Sequence, residues 1–166
     1  TYLGGSRNRR MGTFAGIADI QGMDFYVAAC APHITNWGVH PPLRGAYDYA
    51  VAARINQAPG PTWIYAQGFS SVWGGRSPSP QEIRIQAMSP VASGAKGLMW
   101  FQTNLDRAHA NPDGWDEIGR INRDIRGVRA LLREGDPAGL ATADGAVIVE
   151  AIRARRALVV PVITLA

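Results

Sequence analysis

"PTWIYAQGFSSVW", residues 61–73, decides how this chain is read. Thr62 to Gln67 has the look of a strand, in which successive side chains face opposite sides. Ile64 and Ala66 then share one face, suited to packing under helices. Trp63, Tyr65 and Gln67 share the other, where an aromatic-and-amide surface suits a ligand. From Gly68 the apolar run gives way to a loop carrying Phe69, two serines and Trp73. An amide at that change either satisfies a turn or meets a ligand, since it offers two donors and an acceptor. Both readings of Gln67 stand on these residues.

Strand and helix patterns alternate on either side. "IADIQGMDFYVAAC" reads as a strand centred on Met23 to Val27, and "AYDYAVAARINQA" as a helix with Ala46, Tyr49, Ala50, Ala53 and Ile55 near one stripe, stopped by Pro59-Gly60-Pro61. Ser79-Pro80-Gln81-Glu82 opens the next helix as a capping box with proline at its first position. Its buried side is Ile83, Ala87, Met88, Val91 and Ala92, with Pro90 loosening it and Gly94 ending it. "AKGLMWFQT" is another strand. Trp115, Ile118, Ile121, Ile125, Val128 and Leu132 recur at spacings of three and four, which predicts a long amphipathic helix stopped by Gly135. "AVIVEAI" and "ALVVPVITLA" then read as two strands with no helix between them.

Repeated strand–helix units with right-handed crossovers give an α/β fold with a parallel sheet. Long loops follow the strands and the returns, such as Gly94-Ala95-Lys96, are short, so a site belongs at the carboxyl ends of the strands. The fold class expected is parallel βα repeats forming part of a TIM barrel. Residues 1–135 would be the C-terminal half of a (β/α)8 barrel, and 136–166 a linker and the first strands of a β-sandwich-like domain. The first residue is Thr1, so the chain is expected to have lost or never included its true N-terminus, with the other half of the barrel supplied by sequence before it. A self-contained flavodoxin-like sheet, with helices on both faces, is the alternative.

Composition narrows the function. The chain has 166 residues, 46% hydrophobic and 18% charged, which is globular and enough for one core. Its apolar runs fall short of the roughly 20 residues of a membrane span, and no signal peptide is visible. A net charge of +4 invites a nucleic-acid reading. Lys96 is the only lysine, however, and the arginines of the last helix (Arg120, Arg123, Arg126, Arg129, Arg133) alternate with Asp116, Glu117, Asp124 and Glu134. That pattern is a solvated helix face rather than a phosphate track, so neither nucleic acid nor membrane is expected as a partner. Cys30 is alone, which excludes an internal disulfide. His33, His40 and His109 are not spaced to converge on a metal, and no glycine-rich turn joins a strand to a helix as a dinucleotide site requires. No cofactor is expected.

"GMDFY" after "GIADIQ", then "PTWIYAQGF", then "SPSPQEIRIQAMSPVASGAKGLMWF" resemble, in that order, the last three strands of glycoside-hydrolase-like (β/α)8 barrel proteins. The resemblance covers Gly16 to Phe101. It implies a carbohydrate ligand and acid/base hydrolysis in the full-length protein; it slightly favours an extracellular or cell-surface location, while the residues themselves leave the compartment open. In retaining members of that clan the seventh strand ends in a nucleophilic glutamate. This strand ends in Gln67, which cannot ionise, and a non-catalytic carbohydrate-binding protein is therefore the second reading.

Glycoside hydrolysis usually needs two carboxyl groups. Asp24 is the candidate catalytic residue, because it alternates in phase with Tyr26 and a carboxylate inside a strand is expensive without a purpose. Asp19 is less well placed. Tyr26, Gln67, Trp73, Trp100, Phe101 and Asp106 are the candidate substrate-binding residues, with Trp37 nearby. Aromatic faces stack on the apolar faces of sugar rings while hydroxyls bond outward. Glu82 is explained fully by its capping position.

Overall fold

The computed structural model describes residues 12–24, 43–68, 77–101, 111–138, 142–143 and 147–165. Within them run β1 (Gln21–Asp24), α1 (Arg44–Gln57), β2 (Thr62–Gln67), α2 (Pro80–Ala92), β3 (Gly97–Phe101) and α3 (Pro112–Glu134). Six short strands follow: β4 (Asp136–Pro137), β5 (Thr142–Ala143), β6 (Val147–Val149), β7 (Ile152–Arg153), β8 (Leu158–Val159) and β9 (Val162–Thr164).

The first three strands form a parallel sheet in the order β1-β2-β3, with Met23 beside Ile64 and Ile64 beside Leu98. Every described helix packs on one face of it. Ala46, Tyr49 and Ala50 of α1 meet Ile64, Ala95 and Met23. Ile83 and Ala87 of α2 meet Ile118 and Ile121 of α3, with Leu98 and Trp100 against them. The expected half-barrel is overturned here. The described strands make a small open sheet with β1 and β3 at its edges, and no barrel closes. The flavodoxin-like alternative would have helices on both faces, and those of the described residues lie on one.

Local chemistry explains the helix ends. The Ser79 hydroxyl accepts from the Glu82 amide at 3.2 Å and the Glu82 carboxylate accepts from the Ser79 amide at 2.7 Å, completing the capping box. At the far end of α2, the Ala95 amide donates to Pro90 and the Gly94 amide to Val91, the paired bonds of a Schellman motif. Gly94 has φ 98°, and any side chain there would strike the Pro137 ring.

Beyond α3, "AVIVEAI" and "ALVVPVITLA" form the two arms of one antiparallel hairpin. Val147 pairs with Thr164 at its open end and Ile152 with Val159 near its turn, all in a single register. Each expected strand is split in two, because Pro161 has no amide to donate at the middle of the ladder. The hairpin's apolar side packs on the outer side of the helices. Ile148, Ile163 and Leu165 join Tyr47, Ile85 and Ala92 in one cluster. Beside it, the Tyr47 hydroxyl donates to Glu150 Oε2 at 2.9 Å, and Glu150 Oε1 accepts from the Ala151 amide at 3.0 Å. Burial and the Glu150 carboxylate push the Tyr47 phenol well above its ordinary pKa.

Helix α1 is thus enclosed between sheet and hairpin, and it is buried on nearly every side from Arg44 to Ala53. Ile55, placed on its buried stripe by the sequence pattern, is instead 63% exposed. Asp48 is buried as well, with Arg44 3.4 Å away. Desolvation raises its pKa, with Arg44 opposing the shift.

Candidate functional site

The sheet face opposite the helices is where Gln67 sits. Register places Gly22, Trp63 and Gly97 in one row across the strands, Asp24, Tyr65 and Met99 in the next, and Gln67 beside Phe101 in the last. The six side chains among them point away from the helices, since the strand neighbours Met23, Ile64, Ala66 and Leu98 point into the core. Asp24 is exposed and Trp63, Tyr65, Met99 and Phe101 are half-buried, whereas Gln67 is only 5% exposed.

Two glycines shape this surface. A Cβ on Gly97 would lie 2.5 Å from the Trp63 ring, and one on Gly22 would lie 3.2 Å from the Tyr65 ring. The indole therefore leans over β3 and the phenol over β1, each occupying the space a side chain would fill. The result is a shelf of two rings lying against the sheet. Asp24 stands beside Tyr65 on the neighbouring strand. Strand spacing puts the Asp24 and Gln67 backbones about 8 Å apart on a diagonal. Among the described residues no helix lies over this face, and its exposed carboxylate and half-buried rings can bind a flat, hydroxyl-bearing molecule, with the Gln67 amide set deeper beside them.

The sequence-derived candidates separate as follows. Asp24, Gln67 and Phe101 share this face. Trp100 does not: its indole N–H donates to Asn122 Oδ1 of α3 at 3.3 Å, on the helix side. Tyr26, Trp73 and Asp106 lie outside the described residues, as do Trp37, Cys30 and the three histidines. Trp63 and Tyr65, which strand alternation already puts on the face of Gln67, join the candidates, and the glycines beneath their rings are a second signal. A glycine inside a strand marks a close approach.

The arginines of α3 are divided. Arg120 Nη1 bonds Glu117 Oε2 at 3.1 Å, and Arg84 of α2 bonds both Glu117 and Asp124, the latter at 2.7 Å. Glu117 is buried by these contacts, which tie α2 to α3. Among the described residues no group of three His, Cys, Asp or Glu is placed to hold a metal ion, and no helix is long and apolar enough to cross a membrane.

No family model, curated protein or solved structure matches this chain. The resemblance to glycoside-hydrolase-like barrels is overturned by that result together with the small open sheet, and the chain is not assigned to that family.

Proposed function

We propose that this chain binds carbohydrate on the open face of its parallel sheet, toward the carboxyl ends of the strands. The observation that supports the reading is the ring shelf: Trp63 and Tyr65 lie against Gly97 and Gly22, with Asp24, Gln67 and Phe101 on the same face. Sugar rings present apolar faces for stacking and rims of hydroxyls for hydrogen bonds, and this surface offers partners for both. Parallel sheets are normally covered on both faces, and no helix of the described residues covers this one, where the rings are half-buried. Asp24 is the only carboxylate at the described strand positions of this face. Hydrolysis usually takes two, so the reading is of binding rather than turnover.

The test is a tryptophan-fluorescence titration of the whole chain with a panel of neutral oligosaccharides differing in sugar and linkage. At least one should bind saturably, and Asp24→Asn should weaken it tenfold or more, as expected from losing a hydrogen bond to a charged group worth about 1.5–3 kcal/mol. Tyr65→Ala should weaken it similarly while the helix signal in circular dichroism persists. A panel in which nothing binds more tightly than about 1 mM would refute the proposal.

A further inference from the structure

A second surface lies on the helix side of the sheet. The end of α2, the start of β3 and the second half of α3 enclose a groove of about 500 Å³. Val91, Ala95, Leu98 and Ile125 give it apolar walls, and Arg129 and Arg133 stand beside them. These two arginines are one helical turn apart, so their side chains emerge together. Both are exposed, and among the described residues neither makes an ion pair or a side-chain hydrogen bond.

Arg84, Arg120 and Lys96 are engaged elsewhere. Arg84 and Arg120 are bound to Glu117. The Lys96 ammonium donates to the carbonyls of Leu132 and Gly135 and pairs with Asp136 at 3.2 Å. That contact also offsets the negative field at the end of α3, which would otherwise repel an anion. What remains is an apolar trough with two adjacent unneutralised guanidiniums at its edge. Guanidiniums favour carboxylate and phosphate through paired donors. The volume falls within the roughly 300–1,000 Å³ of small-molecule sites.

We propose that this groove binds a small amphiphilic carboxylate. Its apolar body lies against Val91, Ala95, Leu98 and Ile125, and its carboxylate is held by Arg129 and Arg133. A nucleic-acid backbone would use the guanidiniums but has no use for the apolar walls.

Decanoate, below its micellar concentration, is the probe, followed by calorimetry and by shifts of the Ala95 and Leu98 methyl signals on the whole chain. Saturable one-to-one binding is expected, with those methyls shifting and acetate failing to bind. The double variant Arg129→Glu/Arg133→Glu, altered only at exposed positions, should bind at least tenfold more weakly. Four results would each overturn the proposal: no saturable binding, equal affinity in the double variant, acetate binding as well as decanoate, or shifts confined to other methyls. Tight binding of duplex DNA without any of decanoate would reassign the arginines to a polyanion surface.

Discussion

Removing one oxygen atom from Tyr47 tests how the hairpin is fastened to the helices. In Tyr47→Phe the ring stays in its cluster with Ile148 and Ile163, so packing is preserved. The loss is the 2.9 Å bond to Glu150, a side chain 2% exposed. Its Oε1 keeps the Ala151 amide, while Oε2 loses its phenol donor. A hydrogen bond to a charged group contributes about 1.5–3 kcal/mol, and leaving a buried acceptor unmet puts the cost in that range. For a chain of this size each kcal/mol moves the midpoint by about 2–4 °C, so Tm should fall by about 3–12 °C. Thermal and urea unfolding at pH 7 would measure it. A double-mutant cycle with Glu150→Gln separates the bond from the loss of either group alone. The phenol's raised pKa adds a second readout. Its stabilisation is complete below its unfolded value near 10 and disappears as pH rises through the higher folded value. Wild type should therefore lose its advantage over Tyr47→Phe in strongly alkaline solution. A loss below about 0.5 kcal/mol at pH 7, the scatter of ordinary surface changes, would refute the reasoning.

Ser79→Ala removes one half of the capping box and should cost about 0.5–2 kcal/mol by urea midpoint. Asp48→Asn tests the buried carboxyl on α1. Its folded pKa is raised, so the native state holds the proton more tightly, and wild-type stability relative to the variant should fall as pH rises from the unfolded value near 3.9 through the folded one. Parallel pH titrations of the two proteins that superimpose would exclude this. Gly97→Ala drives a methyl into the Trp63 ring and should cost about 1–3 kcal/mol. It should also alter the near-ultraviolet dichroism of the tryptophans; an unchanged spectrum would mean the indole does not lie on Gly97.

What the sequence disclosed follows from how locally each feature is encoded. The α2 cap was legible because Ser79 and Glu82 act on each other's backbone across three residues. The span of α3 was legible because Ile118, Ile121 and Ile125 meet a packed layer on one side only, although Trp115 and Val128 of the expected stripe are exposed. Helix α1 was harder: enclosed on both sides, it has no single apolar stripe, and the pattern misplaced Ile55. Trp100 was grouped with Phe101 by nearness to a loop, although strand parity alone puts adjacent residues on opposite faces. Closure of a barrel was not legible at all. Alternating strands and helices are compatible with open and closed sheets alike, and only pairing between distant strands decides between them. The Tyr47–Glu150 bond, spanning 103 residues, leaves no local trace for the same reason.

The hairpin's position on the helix layer bears on how the gene can be shortened. Ending it at Gly135 would look natural, since the longest helix stops there. Such a product would present Tyr47, Ile85 and Ala92 to water in one contiguous greasy area. Insoluble expression would be its fate, and adding back the last thirty or so residues, in the same polypeptide or as a separate peptide, should restore solubility.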